Sequence, residues 1–390
     1  MSEIVERLTA EDRGAEIART LLFPYLNHAA TMLASGYATR DDIDAAMRFG
    51  CGYPVGPLML IDALGPETVI NGLQELHAET ADPLHDPAPA LSNLADVGAT
   101  PEGSEPQLRR DIETVGVVGT GTMASGIAQV FAQAGYGVVF VGRSQEKLDG
   151  VVSYITKNLD RAVERGKLDE DGKSNVLGRL TGSTERESLA DADLILEAIA
   201  EDLDIKKELF ADLDRIAKPG AILATTTSSL SIAELAEVTS RPGDVIGIHF
   251  FNPAPVMKLV EVVSAESTKP DVSETAKALS LSVGKHPVSC SDRAGFIVNA
   301  LLFPYLNDAI KLHEAGGGSL EEIDAAMKGA ELPMGPFELL DVVGNDVSLA
   351  IERTLVGQFG HPGWEPAPTL VQLVDEGKLG RKTKQGFHSY

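Results

Sequence analysis

Cysteine is nearly absent from this sequence: Cys51 and Cys290 are the only two in 390 residues, and no CxxC spacing occurs. That excludes a disulfide framework and a thiolate metal site and leaves both thiols as packing residues, so no metal is expected. Uncharged apolar runs of eighteen residues are also missing, and Met1–Arg19 is charged and amphipathic rather than a signal peptide, which predicts a cytoplasmic chain. Cations are scarce, with 33 Lys and Arg against 58 Asp and Glu for a net charge of −25. Such a field repels nucleic-acid phosphates and anionic membranes, so any polyanionic cofactor or substrate must be met by a local cluster of donors or cations. What remains is an ordinary globular composition, 43% hydrophobic, in a chain long enough for two or three domains.

The chain repeats itself. LLFPYLNHAATMLASGYATRDDIDAAM (21–47) and LLFPYLNDAIKLHEAGGGSLEEIDAAM (301–327) share fourteen of 27 positions at an offset of 280. After one residue is lost the offset becomes 279, so that YPVGPLMLIDALG (53–65) answers LPMGPFELLDVVG (332–344) and DPAPAL (86–91) answers EPAPTL (365–370). Apolar residues recur at helical spacing, Thr39 and Ser319 stand where a helix cap belongs, and the proline-bearing turn breaks the next helix. Two copies are too few for a solenoid and predict helical modules that pack on each other across a pseudo-two-fold. The leading module is acidic: the first 113 residues hold 19 Asp and Glu against 7 Arg. The polar, glycine- and proline-bearing stretch ADVGATPEGSEP marks a linker. The expected division is a helical domain at 1–95, a linker at 96–111, a dinucleotide-binding domain at 112–290 and a helical C-terminal domain at 291–390.

TVGVV (114–118) reads as a strand, GTGTMASG (119–126) as a glycine-rich turn, IAQVFAQAG as a helix and GVVFV (137–141) as the next strand, the setting that makes a GxGxx[G/A] pattern specific. Gly119 permits the tight turn and Gly121 lets backbone approach a pyrophosphate. Ala124 keeps helix and strand close, while Thr122 and Met123 complete the cofactor-binding turn. The position that would offer a carboxylate to the ribose is Gly142, followed by Arg143 and Ser144. A glycine there leaves room for a 2′-phosphate that Arg143 and Ser144 can hold, which favours NADP(H); NAD(H) stays open. Further strands at LILEAIAEDL, AILATTTSSL and VIGIHFFNP alternate with helices, and Glu201 and Lys206 fall at the ligand crevice. The fold class is α/β: a Rossmann-type, doubly wound, mostly parallel sheet flanked by two homologous all-helical domains.

His249 ends an apolar strand, where it serves either as a half-buried histidine bonded to a carbonyl or as a base. A histidine with a pKa near neutral can take a hydroxyl proton as hydride leaves the carbon, and a carboxylate on the other ring nitrogen fixes its tautomer. Glu261 in KLVEVV otherwise reads as a solvent-facing acid on an alternating strand. A hydrolase triad of Ser228, His249 and Glu261 lacks a G-x-S-x-G elbow and gives the dinucleotide turn no role.

VGVVGTGTMASGIAQVFAQAG, TTTSSLSIAELA, GIHFFNPAPVMKLVEVV and GKHPVSCSDRAGFIVNALLFPYLNDA together resemble the L-3-hydroxyacyl-CoA dehydrogenase family, particularly its 3-hydroxybutyryl-CoA members, over residues 112 to 390. The resemblance implies His249 as catalytic base, Glu261 as its orienting carboxylate, Ser228 and Asn299 as contacts to the 3-oxygen and thioester carbonyl, and Glu201 and Lys206 as lining the nicotinamide and ribose pocket. Thr226 stands where many relatives have Asn. An acyl-CoA substrate needs cations for its phosphates, and Lys157, Lys173, Lys258, Lys285 and Arg293 are the candidates. In the leading copy Arg19 replaces Asn299 and nothing answers the C-terminal 377–390. That copy is therefore expected to keep the fold without the chemistry and to dock in place of a partner subunit, in a monomer or homodimer. The expected reaction interconverts short (3S)-3-hydroxyacyl-CoA and 3-oxoacyl-CoA. The alternatives are oxidation of a free hydroxy acid on the same scaffold and nucleotide binding without turnover.

Overall fold

A computed structural model describes residues 2–94 and 105–390. The chain divides into two compact units, Met1–Glu102 with Ala294–Tyr390, and Gly103–Arg293. Residues 96–104 of the expected linker lie outside the described residues.

The leading segment of the first unit folds into α1 (Ser2–Thr9), α2 (Arg13–Ala34), α3 (Arg40–Gly50), α4 (Pro57–Leu64) and α5 (Pro66–Thr80). Side-chain caps start two of them: Asp12 accepts from Ala15 N ahead of α2, and Thr39 from Asp42 N ahead of α3. Proline at the first helical position opens α4 and α5, where its missing N–H costs nothing. Leu21, Leu22, Phe23, Tyr25, Leu26 and Ala29 are all buried along α2, as in a helix enclosed on nearly every side.

The second unit runs β1 (Thr114–Val118), α6 (Thr122–Gln133), β2 (Gly137–Val141), α7 (Gln145–Glu164), α8 (Glu170–Gly178), β3 (Leu180–Ser183), β4 (Leu194–Glu197), α9 (Leu203–Ile216), β5 (Ile222–Thr225), α10 (Ile232–Glu237), β6 (Val245–Phe250), β7 (Leu259–Ser264), α11 (Pro270–Ser282) and β8 (His286–Ser291). Its eight-stranded sheet has the order β3-β2-β1-β4-β5-β6-β7-β8. The first six strands are the 3-2-1-4-5-6 arrangement of a doubly wound dinucleotide fold, all parallel. Strand β7 then runs antiparallel to β6, and β8 parallel to β7. Every residue of β4, β5 and β6 is buried, which is why those segments are mostly apolar, with Glu197, Thr225 and His249 near their carboxyl ends.

The chain returns to the first unit as α12 (Val298–Glu314), α13 (Leu320–Gly329), α14 (Pro336–Val343), α15 (Asn345–Phe359) and α16 (Pro368–Asp375). Helix α2 lies against both α12 and α13, with the Tyr25 and Tyr305 rings meeting edge to face at 6.2 Å. The duplication extends to single hydrogen bonds. Asn27 accepts from Ala88 N at 2.8 Å and donates to Asp86 O at 2.9 Å. Asn307 accepts from Ala367 N and donates to Glu365 O at the same distances, 2.8 and 2.9 Å. Among the described residues no helix is long and apolar enough to cross a membrane.

Candidate active site

The glycine-rich turn joins β1 to α6. Gly119 has φ +134°, and a Cβ there would collide with the carbonyl oxygen of Ala198, so only glycine fits. Gly121 caps α6 without any side-chain hydrogen bond, and nothing crowds its open side. In the same unit Ser144, Asp169, Asp202 and Ser231 cap α7, α8, α9 and α10 through their side chains. The first-turn amides of α6, at the carboxyl end of β1, are thus open to an anion, as a dinucleotide's pyrophosphate requires. Thr122 is exposed, Met123 is partly buried and Ala124 is buried against the sheet.

Gly142 follows β2. A Cβ at this position would stand 2.5 Å from the Thr120 methyl and 3.0 Å from Leu148 Cδ2, so threonine fills the space a larger residue would need. Arg143 and Ser144 are exposed. The Ser144 hydroxyl accepts from Lys147 N at 3.4 Å, and Arg143 makes no ion pair among the described residues.

At the far side of β5, β6 and β7 form the antiparallel pair, and their register sets His249 directly opposite Glu261. His249 Nδ1 lies 2.7 Å from Glu261 Oε2. The imidazole is 7% exposed and the carboxylate 0%, so the pair is shielded from water. Glu261 is therefore not the solvent-facing acid that strand alternation suggests, because β7 is covered on both faces.

Ser228 sits in the loop after β5, and its backbone N–H donates to Glu201 Oε1 at 3.1 Å. The same oxygen accepts from the Thr227 hydroxyl and, at 3.4 Å, from Ser229 Oγ. The other oxygen of Glu201 lies 3.1 Å from Lys206 Nζ. Burial works against this carboxylate, but the Lys206 ammonium, the Thr227 hydroxyl and the Ser228 amide hold its pKa below the usual range. Lys206 is itself 1% exposed and donates at 2.6 Å to Glu197, the last residue of β4, which sequence reasoning passed over. The available signal was an acid closing the apolar run LILE, at the carboxyl end of a central strand. Asn299 occupies the first turn of α12 in the other unit and is buried.

A cavity of about 490 Å³ opens in the second unit between α6, α7 and the segment after β6, with Tyr154, Asn158, Arg161, Arg165, Lys167 and Pro255 among its walls. Arg161, Arg165 and Lys167 form no ion pair among the described residues. These cations were missed; their signal was the i, i+4 pair of arginines ending α7. Two expected phosphate-binding lysines are otherwise engaged. Lys173 pairs with Asp160 at 2.5 Å and Glu170 at 3.5 Å. Lys285 is buried and donates to Ala254 O at 2.6 Å and Met257 O at 2.7 Å. Lys157, Lys258 and Arg293 are exposed.

Residues 114–293 match the model of the 3-hydroxyacyl-CoA dehydrogenase NAD binding domain. The C-terminal domain model of the same family matches twice, at 17–107 and 295–390. A 3-hydroxybutyryl-CoA dehydrogenase of Clostridioides difficile is 46% identical over 275 residues, 70% of this chain and 98% of its own length. The mitochondrial hydroxyacyl-coenzyme A dehydrogenase of Sus scrofa is 44% identical over 288 residues, covering 72% and 91%. The crystal structure of (S)-3-hydroxybutyryl-CoA dehydrogenase from Ralstonia eutropha superposes with TM-score 0.71 at 40% identity, over 72% of this chain and 99% of that one.

Proposed function

The chain belongs to the 3-hydroxyacyl-CoA dehydrogenase family, and from that premise we propose that it interconverts short-chain (3S)-3-hydroxyacyl-CoA and 3-oxoacyl-CoA, with 3-hydroxybutyryl-CoA and acetoacetyl-CoA as the pair. The observation that carries this reading is the buried His249–Glu261 hydrogen bond of 2.7 Å, in a unit whose sheet opens on an anion-receiving turn.

The nicotinamide, when bound, supplies the hydride acceptor or donor. His249 moves the proton. With Nδ1 committed to Glu261, Nε2 is the nitrogen that takes the substrate hydroxyl proton in oxidation and returns it in reduction. Glu261 holds the tautomer that makes this possible and stabilises the imidazolium that forms. Ser228 is assigned to the 3-oxygen on a loop held by Glu201; for Asn299 the assignment to the substrate rests on the family likeness alone. Arg161, Arg165 and Lys167 supply local positive charge for the phosphates of CoA within a strongly acidic chain.

The preferred cofactor in this reading is NADP(H). Gly142 offers no carboxylate to a ribose 2′-hydroxyl, the Thr120 methyl fills the place of one, and Arg143 stands exposed beside it. Reduction is then the working direction. The leading helical copy, in the same reading, covers the face of α12 and α13 that a partner subunit covers in simpler relatives.

One set of assays tests the function. Acetoacetyl-CoA reduction with NADPH and NADH is measured for the parent and for His249→Gln. We expect NADPH to be favoured and the variant to lose about a thousandfold in kcat. Turnover of free hydroxy acids alone, or a variant as fast as the parent, would sink the proposal.

A further inference from the structure

Glu197, like Glu261, is 0% exposed, and its position in the sheet is central. In register it lies beside Val118 on one side and Thr225 on the other, the residues from which the glycine-rich turn and the 226–229 loop depart. Its two oxygens are fully used by the protein: Oε1 accepts from Lys206 Nζ at 2.6 Å and from the Thr225 hydroxyl, and Oε2 accepts from Ile199 N at 3.2 Å. It offers nothing to a ligand directly.

Lys206 meets two carboxylates, Glu197 at 2.6 Å and Glu201 at 3.1 Å. An ammonium 1% exposed is strongly disfavoured unless carboxylates surround it, and Glu201, with 40% of its side chain exposed, is only a partial neutraliser. Glu197 completes the neutralisation from below. Lys206 then holds Glu201 Oε2, and Glu201 Oε1 gathers the Thr227 hydroxyl, the Ser228 amide and the Ser229 hydroxyl. One unbroken chain of charge-assisted bonds runs from the floor of the sheet to the loop that carries Ser228.

We propose that Glu197 is a positioning residue: it locks Lys206 as a buried cross-link, so that Glu201 and the 225–229 loop are held in the geometry that dinucleotide and substrate require. This inference rests on the dehydrogenase reading above. It differs from a plain role in stability because replacing a buried ion pair with apolar or neutral groups of similar volume generally preserves or improves stability, while the pull on Glu201 disappears.

The test uses the full chain with Glu197→Gln and the double variant Glu197→Gln/Lys206→Met. Dinucleotide affinity is measured by fluorescence titration without substrate, thermal midpoint by calorimetry, and kcat and KM at 25 °C. In the double variant we expect the thermal midpoint to return to near the parent and the dinucleotide Kd and KM to rise by roughly tenfold. The single variant is expected to weaken binding similarly and to melt lower, since it leaves the ammonium short of a partner. A double variant that binds dinucleotide as tightly as the parent overturns the proposal and leaves the dehydrogenase reading standing. A parent chain that binds no dinucleotide overturns both.

Discussion

Asn27 and Asn307 clasp the following chain through the same two bonds in the two helical copies, whereas Asp62 and Asp341, equally well matched at the offset of 279, do different work. Asp341 is 1% exposed and gathers the C-terminal tail, accepting from Phe387 N at 2.9 Å, His388 N at 2.8 Å and the Tyr390 hydroxyl at 3.2 Å. Asp62 has no tail to hold and pairs at the surface with Arg40 at 2.7 Å. Asp324 takes Phe337 N and His388 Nε2, at 2.9 and 2.8 Å. Its counterpart Asp44 keeps only the backbone donors Leu58 N and Met59 N, and burial raises its carboxyl to about 6. Where α12 carries Asn299, α2 carries Arg19, whose guanidinium donates to Leu8 O at 2.9 Å and Ala10 O at 2.7 Å and so closes the end of α1. Between the two copies, positions that set the backbone are retained, and positions that hold the tail in one copy are released to local bonding in the other.

The harshest way to break this comparison is to remove residues 1–100. The faces of α12 and α13 that α2 covers would be laid open, and we expect self-association or aggregation in light scattering and a lower thermal midpoint. A truncated chain that remains monomeric and equally stable ends the idea that the leading copy stands in for a partner. Next in size is the aspartate pair. Asp341→Ala should cost about 3 kcal/mol in denaturant unfolding, since the three tail donors lose their acceptor. Asp62→Ala should stay within about 0.5 kcal/mol, as befits an exposed pair.

Asn299→Ala and Arg19→Ala sharpen the contrast in chemistry. The first should lower kcat/KM for acetoacetyl-CoA by about a hundredfold with little change in melting. The second should leave kcat/KM intact and cost about 1–2 kcal/mol of stability. The effect that shows only at high pH concerns Glu352, buried with neither carboxylate oxygen bonded, where the leading copy has the buried Leu73. Burial raises Glu352 to about 8. The folded state therefore binds its proton more tightly than the unfolded chain, and stability drains away as pH rises from about 4.5 to about 8. Glu352→Leu, copying the leading module, should raise the thermal midpoint at pH 9 and change it little at pH 5. Some slope remains, because burial also raises Asp308 to about 7.

Much of the fold was legible because its signals are local. The repeat, the glycine turn and the apolar runs of β4, β5 and β6 each declare themselves within a dozen residues, and they lead to the doubly wound sheet and helical domains that the structure has. The site was legible only where a motif marks it. Alternation in KLVEVV suggests one wet face for β7, yet neighbouring elements cover both; the pairing of Glu261 with His249, implied by the family resemblance, is invisible to strand alternation and follows from the cross-strand register. Glu197 and the cations ending α7 depend on which side chains converge from distant segments. For the same reason Lys173 and Lys285 looked available in a list of charges and are engaged in space.

The Thr120 methyl beside Gly142 also constrains how cofactor choice can change in this lineage. A threonine side chain is restricted at its first torsion, so a newcomer 2.5 Å away from its methyl forces it out of its rotamer. Installing an aspartate at 142 by itself would deform the very turn it is meant to serve. In the proposed cofactor site, a change from one dinucleotide to the other is therefore expected to need a smaller residue at 120 as well as an acid at 142.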